Sequence, residues 1–223
     1  MSAARAEILE RIRAATRDVP ADEPAAWEGA SEARAAAGPP NAATLDLLAT
    51  RIADYRATVT RLAPGADVAA AVGEILARHH ARRIVVPAAL PPAWQPAGVE
   101  LIADDPPLPP RALADVDGAL TGCTLAIAET GTFVLDGGPG QGRRALTLLP
   151  DLHICIVRAD QVVASVPEAI ARLGGSTRPI TLVSGPSATS DIELERVEGV
   201  HGPRRLEVVL LGTQELPSLQ PPQ

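Results

Sequence analysis

The sequence predicts an α/β protein built on a mainly parallel sheet with helices on both faces. Three observations carry that reading. Short unbroken runs of Val, Ile and Leu recur along the chain, as in strands buried on both sides. Segments with apolar residues at three- and four-residue steps alternate with them, as in amphipathic helices. The chain has 223 residues and is 46% hydrophobic but 2% aromatic. That is long enough for a substantial core, built from aliphatic side chains.

The elements follow in order. Ser2 to Thr16 reads as a helix with Ile8, Leu9 and Ile12 on one stripe. Val19 to Pro40 has no periodicity and reads as a mobile linker containing Trp27. Residues 1–40 therefore form an N-terminal helical arm and linker, 41–212 the α/β domain and 213–223 a loose tail. Thr44 can cap a helix running to about Leu62 through Leu45, Leu48, Ile52, Tyr55, Val59 and Leu62. Asp67 can cap the next, with Val68, Val72, Ile75 and Leu76 inward; His79 and His80 read as its solvated end. Arg83 to Pro87 and Val99 to Ile102 read as strands, separated by proline-rich loop, and Asp104-Asp105-Pro106 as a turn. Gly118 to Thr121 and Gly131 to Leu135 are strands; Gly122 to Ala128 is strand or helical turn. Apolar runs follow at Ala145 to Leu149 and Leu152 to Val157, the latter the stronger strand. Ser165-Val166-Pro167-Glu168 fits a capping box with an early proline. Pro179 to Ser184 and Arg205 to Leu211 close the set of strands.

All 20 basic residues are arginine; against 27 acids they leave a net charge of −7. That charge and the scarcity of aromatics argue against nucleic-acid binding. The first residues are charged throughout, unlike a secretory signal, and no run approaches about 18 apolar residues. The expected setting is the cytoplasm, with no membrane contact. Cys123 and Cys155 lie in apolar surroundings and are expected to be buried and reduced. Two thiols cannot hold a four-cysteine iron–sulfur cluster.

Two loops gather the chemistry. The first is Glu129-Thr130-Gly131-Thr132, followed beyond an apolar run by Gly137-Gly138-Pro139-Gly140-Gln141-Gly142-Arg143-Arg144. Glycine turns such as Gly131 and Gly140 can offer backbone N–H groups to an anion. Arg143 and Arg144 can clamp it, or merely balance acidic surface. The loop is neither a Walker A sequence nor a dinucleotide fingerprint. The second is Ser184-Gly185-Pro186-Ser187-Ala188-Thr189-Ser190-Asp191-Ile192-Glu193, followed by His201 and Arg204. Its hydroxyls can cap a helix or hold an anion. Ser187 sits in no nucleophile elbow, which argues against hydrolysis. Asp191, Glu193 and His201 form a weak metal pattern, and His201 can equally organise its loop through hydrogen bonds. Glu129 is the strongest catalytic candidate, as nucleophile or base, with hydrogen bonding to turn N–H groups as the alternative. In parallel sheets ligands bind at the carboxyl ends of strands, so the two loops are expected to share one crevice.

Four segments together resemble the LUD-domain family: Ala126 to Thr132, Leu149 to Ile154, Ser184 to Glu193 and Gly199 to Arg204. The resemblance spans about Leu45 to Leu211. It implies a fold like that of NagB, ribose-5-phosphate isomerase (RpiA) and the CoA transferases. It also implies a role in oxidising L-lactate to pyruvate beside two iron–sulfur partners, LutA-like and LutB-like proteins. No cofactor is then expected on this chain, with the clusters on the partners. The expected ligand is a small carboxylate or phosphate held by Thr130, Gly131, Thr132, Gly140, Arg143, Ser184, Gly185, Ser187, Thr189, Asp191, His201 and Arg204. No metal is expected, and a homodimer is compatible with the helical arm. The alternative implied by the fold is an independent enzyme of CoA-transferase or sugar-phosphate-isomerase type, with Glu129 compared to the attacking glutamate of those transferases.

Overall fold

A computed structural model describes residues 3–17, 40–174, 177–189, 197–199 and 201–212. The expected linker with Trp27, the pair Asp191 and Glu193, and the tail lie outside the described residues. Helix α1 (Ala3–Ala15) comes first. Asn41, not Thr44, caps α2 (Ala42–Asp54): its side-chain oxygen accepts the Thr44 N–H at 2.9 Å. The helix does not run on to Leu62. Arg56 turns to φ +65°, and Thr58–Leu62, rich in β-branched residues, forms strand β1. Val59 and Leu62 extend the helical spacing of α2 but sit in a strand.

The next elements are α3 (Val68–Arg78), capped by Asp67 as expected, β2 (Arg83–Val86) and β3 (Glu100–Ala103). They are followed by α4 (Pro110–Ala114), β4 (Gly118–Gly122), β5 (Leu125–Ile127) and β6 (Thr132–Leu135). The run from Ala145 falls in a 3₁₀ turn, Arg144–Thr147. The chain closes with β7 (Leu152–Arg158), β8 (Val162–Val163), α5 (Val166–Leu173), β9 (Thr181–Val183), β10 (Ala188–Thr189), β11 (Val197–Glu198) and β12 (Arg205–Leu211).

Six strands form one sheet in the order β1-β12-β7-β4-β2-β3, every pairing parallel. Four short strands form a second sheet, β8-β5-β6-β9, with β5–β6 and β6–β9 antiparallel. On one face of the large sheet, Ile84, Leu120, Ile154 and Val209 pack on Val72, Ile75 and Leu76 of α3. On the opposite face, Cys155, Val157 and Val208 meet Phe133 and Val162 of the second sheet and Leu48 and Ile52 of α2. Ala169 and Leu173 of α5 cover the outer side of that second sheet. The fold is thus α/β, with the parallel sheet covered on both faces. Alternating apolar side chains of β7 go to opposite layers, which is why that strand reads as one continuous apolar run.

Two local expectations change. His79 is not a solvated helix end: its Nε2 lies 2.7 Å from a carboxylate oxygen of buried Glu207 on β12. Ser165 precedes α5 without a side-chain cap, and Glu168 accepts the Ala164 N–H instead.

Candidate functional site

The turn between β5 and β6 is pinned by close packing. Gly131 has φ +61°, and a Cβ there would stand 2.5 Å from the Arg51 carbonyl carbon of α2. The turn places Thr132 beside Ser184, with hydroxyl oxygens 2.6 Å apart, and Thr130 donates to Thr132 at 2.7 Å. The two sequence motifs do meet here. Gly185, with φ +132°, lies against Tyr55, where a Cβ would approach within 2.8 Å.

Glu129 points elsewhere. It is exposed, and its Oε1 accepts the Val166 N–H at 2.6 Å at the start of α5. It is therefore the acceptor that Ser165 fails to supply, at the helix end where a negative charge is favoured.

The glycine-rich loop contains its own anion. Asp136 Oδ1 accepts from Thr124 Oγ1 at 2.8 Å, Gly138 N at 2.9 Å and Gln141 Nε2 at 3.0 Å, and Arg178 lies 3.3 Å from Oδ2. Burial works to raise the Asp136 pKa, but these bonds and the Arg178 charge hold it below the ordinary carboxylate value. Gly140 accepts the Gly122 N–H at 2.8 Å through its carbonyl, tying the loop to β4.

Arg143 is likewise engaged. Its Nε and Nη2 grip Asp104 at 2.7 and 2.8 Å, and Nη2 also reaches the Leu108 carbonyl. The bond to Arg143 is the main reason the Asp104 pKa is lowered. Arg204 pairs with Asp151 at 2.5 Å, and Ser187 Oγ accepts the His201 N–H at 3.1 Å. Ser187 also donates its N–H to the Pro203 carbonyl at 2.8 Å, so backbone bonds, not the His201 imidazole, tie these two stretches together among the described residues. Thr189 lies in β10.

Arg144 stands apart. Its Nη1 donates to Thr147 Oγ1 at 2.6 Å, but it makes no ion pair among the described residues. Desolvation lowers its pKa although the residue is exposed. It stands where a cavity of about 210 Å³ borders a second of about 450 Å³, and lines both. The smaller cavity is walled by Ser184, Ser187, His201, Leu206 and His153. His153 is 2% exposed, bonds Thr121 Oγ1 through Nε2 at 2.8 Å, and meets Phe133 edge to face at 5.8 Å. Burial first, and the Arg144 charge second, push its pKa down to about 3. It is a neutral imidazole at ordinary pH.

Residue composition alone gives little reason to choose Arg144 or His153. Arg144 is indistinguishable from Arg143 in sequence, and His153 lies inside a strand. The crevice also differs in place from the expectation. His153 and Leu206 are second in β7 and β12, so it opens at the amino ends of the parallel strands. Only the Ser184 side follows a carboxyl end, that of β9. Among the described residues no cluster of three or more His, Cys, Asp or Glu could hold a metal. No described helix is long and apolar enough to cross a membrane. Cys123 and Cys155 are buried free thiols, as expected.

These features make the chain a layered α/β protein with a small polar cavity at one end of its parallel sheet. The sequence model of the LUD domain matches residues 110–211. Lactate utilization protein C of Deinococcus radiodurans is 50% identical over 165 residues, 73% of this chain and 76% of that protein. The chain belongs to the LUD-domain family. A Shouchella clausii protein, also called lactate utilization protein C, is 39% identical over 97 residues, 41% of either chain. The crystal structure of a DUF162 family protein from Deinococcus radiodurans superposes with a TM-score of 0.67 at 42% identity, over 77% of this chain and 98% of that one.

Proposed function

We propose that the protein is an accessory subunit of L-lactate utilisation and that its crevice holds a small anion. In this reading LutA-like and LutB-like iron–sulfur proteins carry the electrons as L-lactate becomes pyruvate. Support for the pathway comes from the relatives named for lactate utilization. Support for clusters residing on partners comes from the cysteines: Cys123 and Cys155 are two buried thiols, fewer than a four-cysteine cluster takes.

The observation that carries the crevice is Arg144, which lines both cavities and has no carboxylate partner among the described residues. Arg143 and Arg204, by contrast, already hold Asp104 and Asp151. The enzyme alternative working through Glu129 has less behind it, because Glu129 is exposed, bound to Val166 and absent from these cavity walls.

The test is genetic and biochemical. Cells lacking the chain should fail to grow on L-lactate and recover with the wild-type copy. A tagged copy from lactate-grown cells should elute with cysteine-rich, iron-containing proteins. Normal growth of the deletion strain, or an iron-free eluate under gentle conditions, counts against the accessory role.

A further inference from the structure

Arg144 and His153, on the wall of the smaller cavity, each keep polar atoms without a partner among the described residues, as does the exposed imidazole of His201. Arg144 uses Nη1 on Thr147, with contacts to Oγ1 at 2.6 Å and the carbonyl at 3.3 Å. Its Nε and Nη2 have no partner among the described residues. That is the same guanidinium edge with which Arg143 grips both oxygens of Asp104. Arg143 shows the two-bond fork that such an edge makes with a carboxylate.

The second group is His153. Its Nε2 is taken by Thr121, while Nδ1 has no partner among the described residues. A buried polar atom left unpaired is costly and uncommon in native proteins. Since burial keeps this imidazole neutral, it adds no charge to the site. Arg144 is the one arginine on this wall among the described residues, and with a neutral His153 beside it the site suits a monoanion better than a dianion. The volume, about 210 Å³, is below the roughly 300 Å³ at which sites for drug-sized ligands begin. Leu148, Val183 and Leu206 supply apolar wall for a short alkyl group.

We infer that Arg144 and His153 form a binding site for a small monocarboxylate bearing an oxygen on the neighbouring carbon, a 2-hydroxy or 2-oxo acid. Arg144 takes the carboxylate through Nε and Nη2, and His153 Nδ1 takes the adjacent oxygen. A plain alkyl acid satisfies the first group and leaves the second unpaired. This rests on the anion-binding crevice proposed above and specifies its ligand.

Calorimetric titration of the full chain at pH 7.5 with L-lactate, pyruvate, propionate and inorganic phosphate tests it. L-lactate or pyruvate should bind one per chain, with propionate about tenfold weaker, the worth of one buried hydrogen bond. Arg144→Gln should weaken L-lactate on the order of tenfold to a hundredfold. His153→Phe should bring L-lactate down to the propionate level. Should that variant unfold, the imidazole nitrogen resonances of wild-type His153 serve instead: they should shift with L-lactate and not with propionate. Equal affinity for propionate and L-lactate overturns the role of His153 while leaving the anion crevice standing. Binding of phosphate alone overturns the carboxylate assignment. No binding of any of the four overturns this inference and the crevice together.

Discussion

Arg143 gives its Nε–Nη2 edge to Asp104, whereas Arg144 keeps the same edge unpaired among the described residues. The consequence is energetic. The Asp104 side chain is 6% exposed and that of Arg143 37%, so removing Arg143 strands a buried carboxylate, partly relieved by water. Arg143→Ala should cost about 2 kcal/mol of unfolding free energy, and Arg144→Ala within about 0.5 kcal/mol of nothing. Urea unfolding measures both; equal losses would mean that Arg144 is structural. His153 gives a pH prediction of definite sign. Its folded pKa is about 3 against an ordinary 6.5, so between those values the unfolded chain binds a proton that the folded chain refuses. Stability should therefore fall as pH drops below about 6.5, by about 2 kcal/mol at pH 5, and level off below pH 3 as far as this group is concerned. The difference between wild type and His153→Phe isolates the effect from the carboxylates. Identical pH slopes in the two proteins would show that His153 titrates normally.

At the scale of elements, the β5–β6 turn and α2 are fitted backbone to backbone. Gly131 and Gly65 both have positive φ, +61° and +79°, but only Gly131 faces α2. A Cβ added at Gly131 would stand 2.5 Å from Arg51, whereas one at Gly65 would meet nothing within 4 Å. Gly65→Ala should cost about 1 kcal/mol, the conformational penalty alone. Gly131→Ala should cost at least about 3 kcal/mol, since α2 must shift and loosen the core contacts made by its own Leu48 and Ile52. Thermal melts of the two variants decide this; similar midpoints would mean that the turn yields easily. Neither the Arg51 approach nor the self-supplied carboxylate of the glycine-rich loop was legible in sequence. Gly131 announces a turn, not the helix above it, and Asp136 looks like any loop acid. What could be read was periodic: α3 behind Asp67 and the runs that became β2, β4, β7 and β12. The end of α2 could not be read, because one left-handed residue, Arg56, separates helix from strand while the apolar spacing continues unbroken. Nor could the partner of His79, because the carboxylate it meets is 128 residues away on β12.

For the molecule as a whole, the question is which residues make the cooperative unit. Every member of the four apolar clusters lies between Leu45 and Leu211, and the unit includes β1 and β12, which pair in parallel over five positions across most of the chain length. Helix α1 contributes to none of these clusters, and Ile8 and Ile12 on its apolar stripe are 58% and 53% exposed. A helix of 13 residues that buries so little gains little from tertiary packing and is marginal by itself. Deleting residues 1–39 should then leave the thermal midpoint of the body within about 2 °C of the full chain, since about 1 kcal/mol shifts the midpoint of a domain this size by only about 2–4 °C. L-lactate titration should be unchanged too, because Arg144, His153 and the walls of their cavity all belong to the retained segment. A midpoint lowered by more than about 5 °C would show that the arm or the segment joining it completes the core.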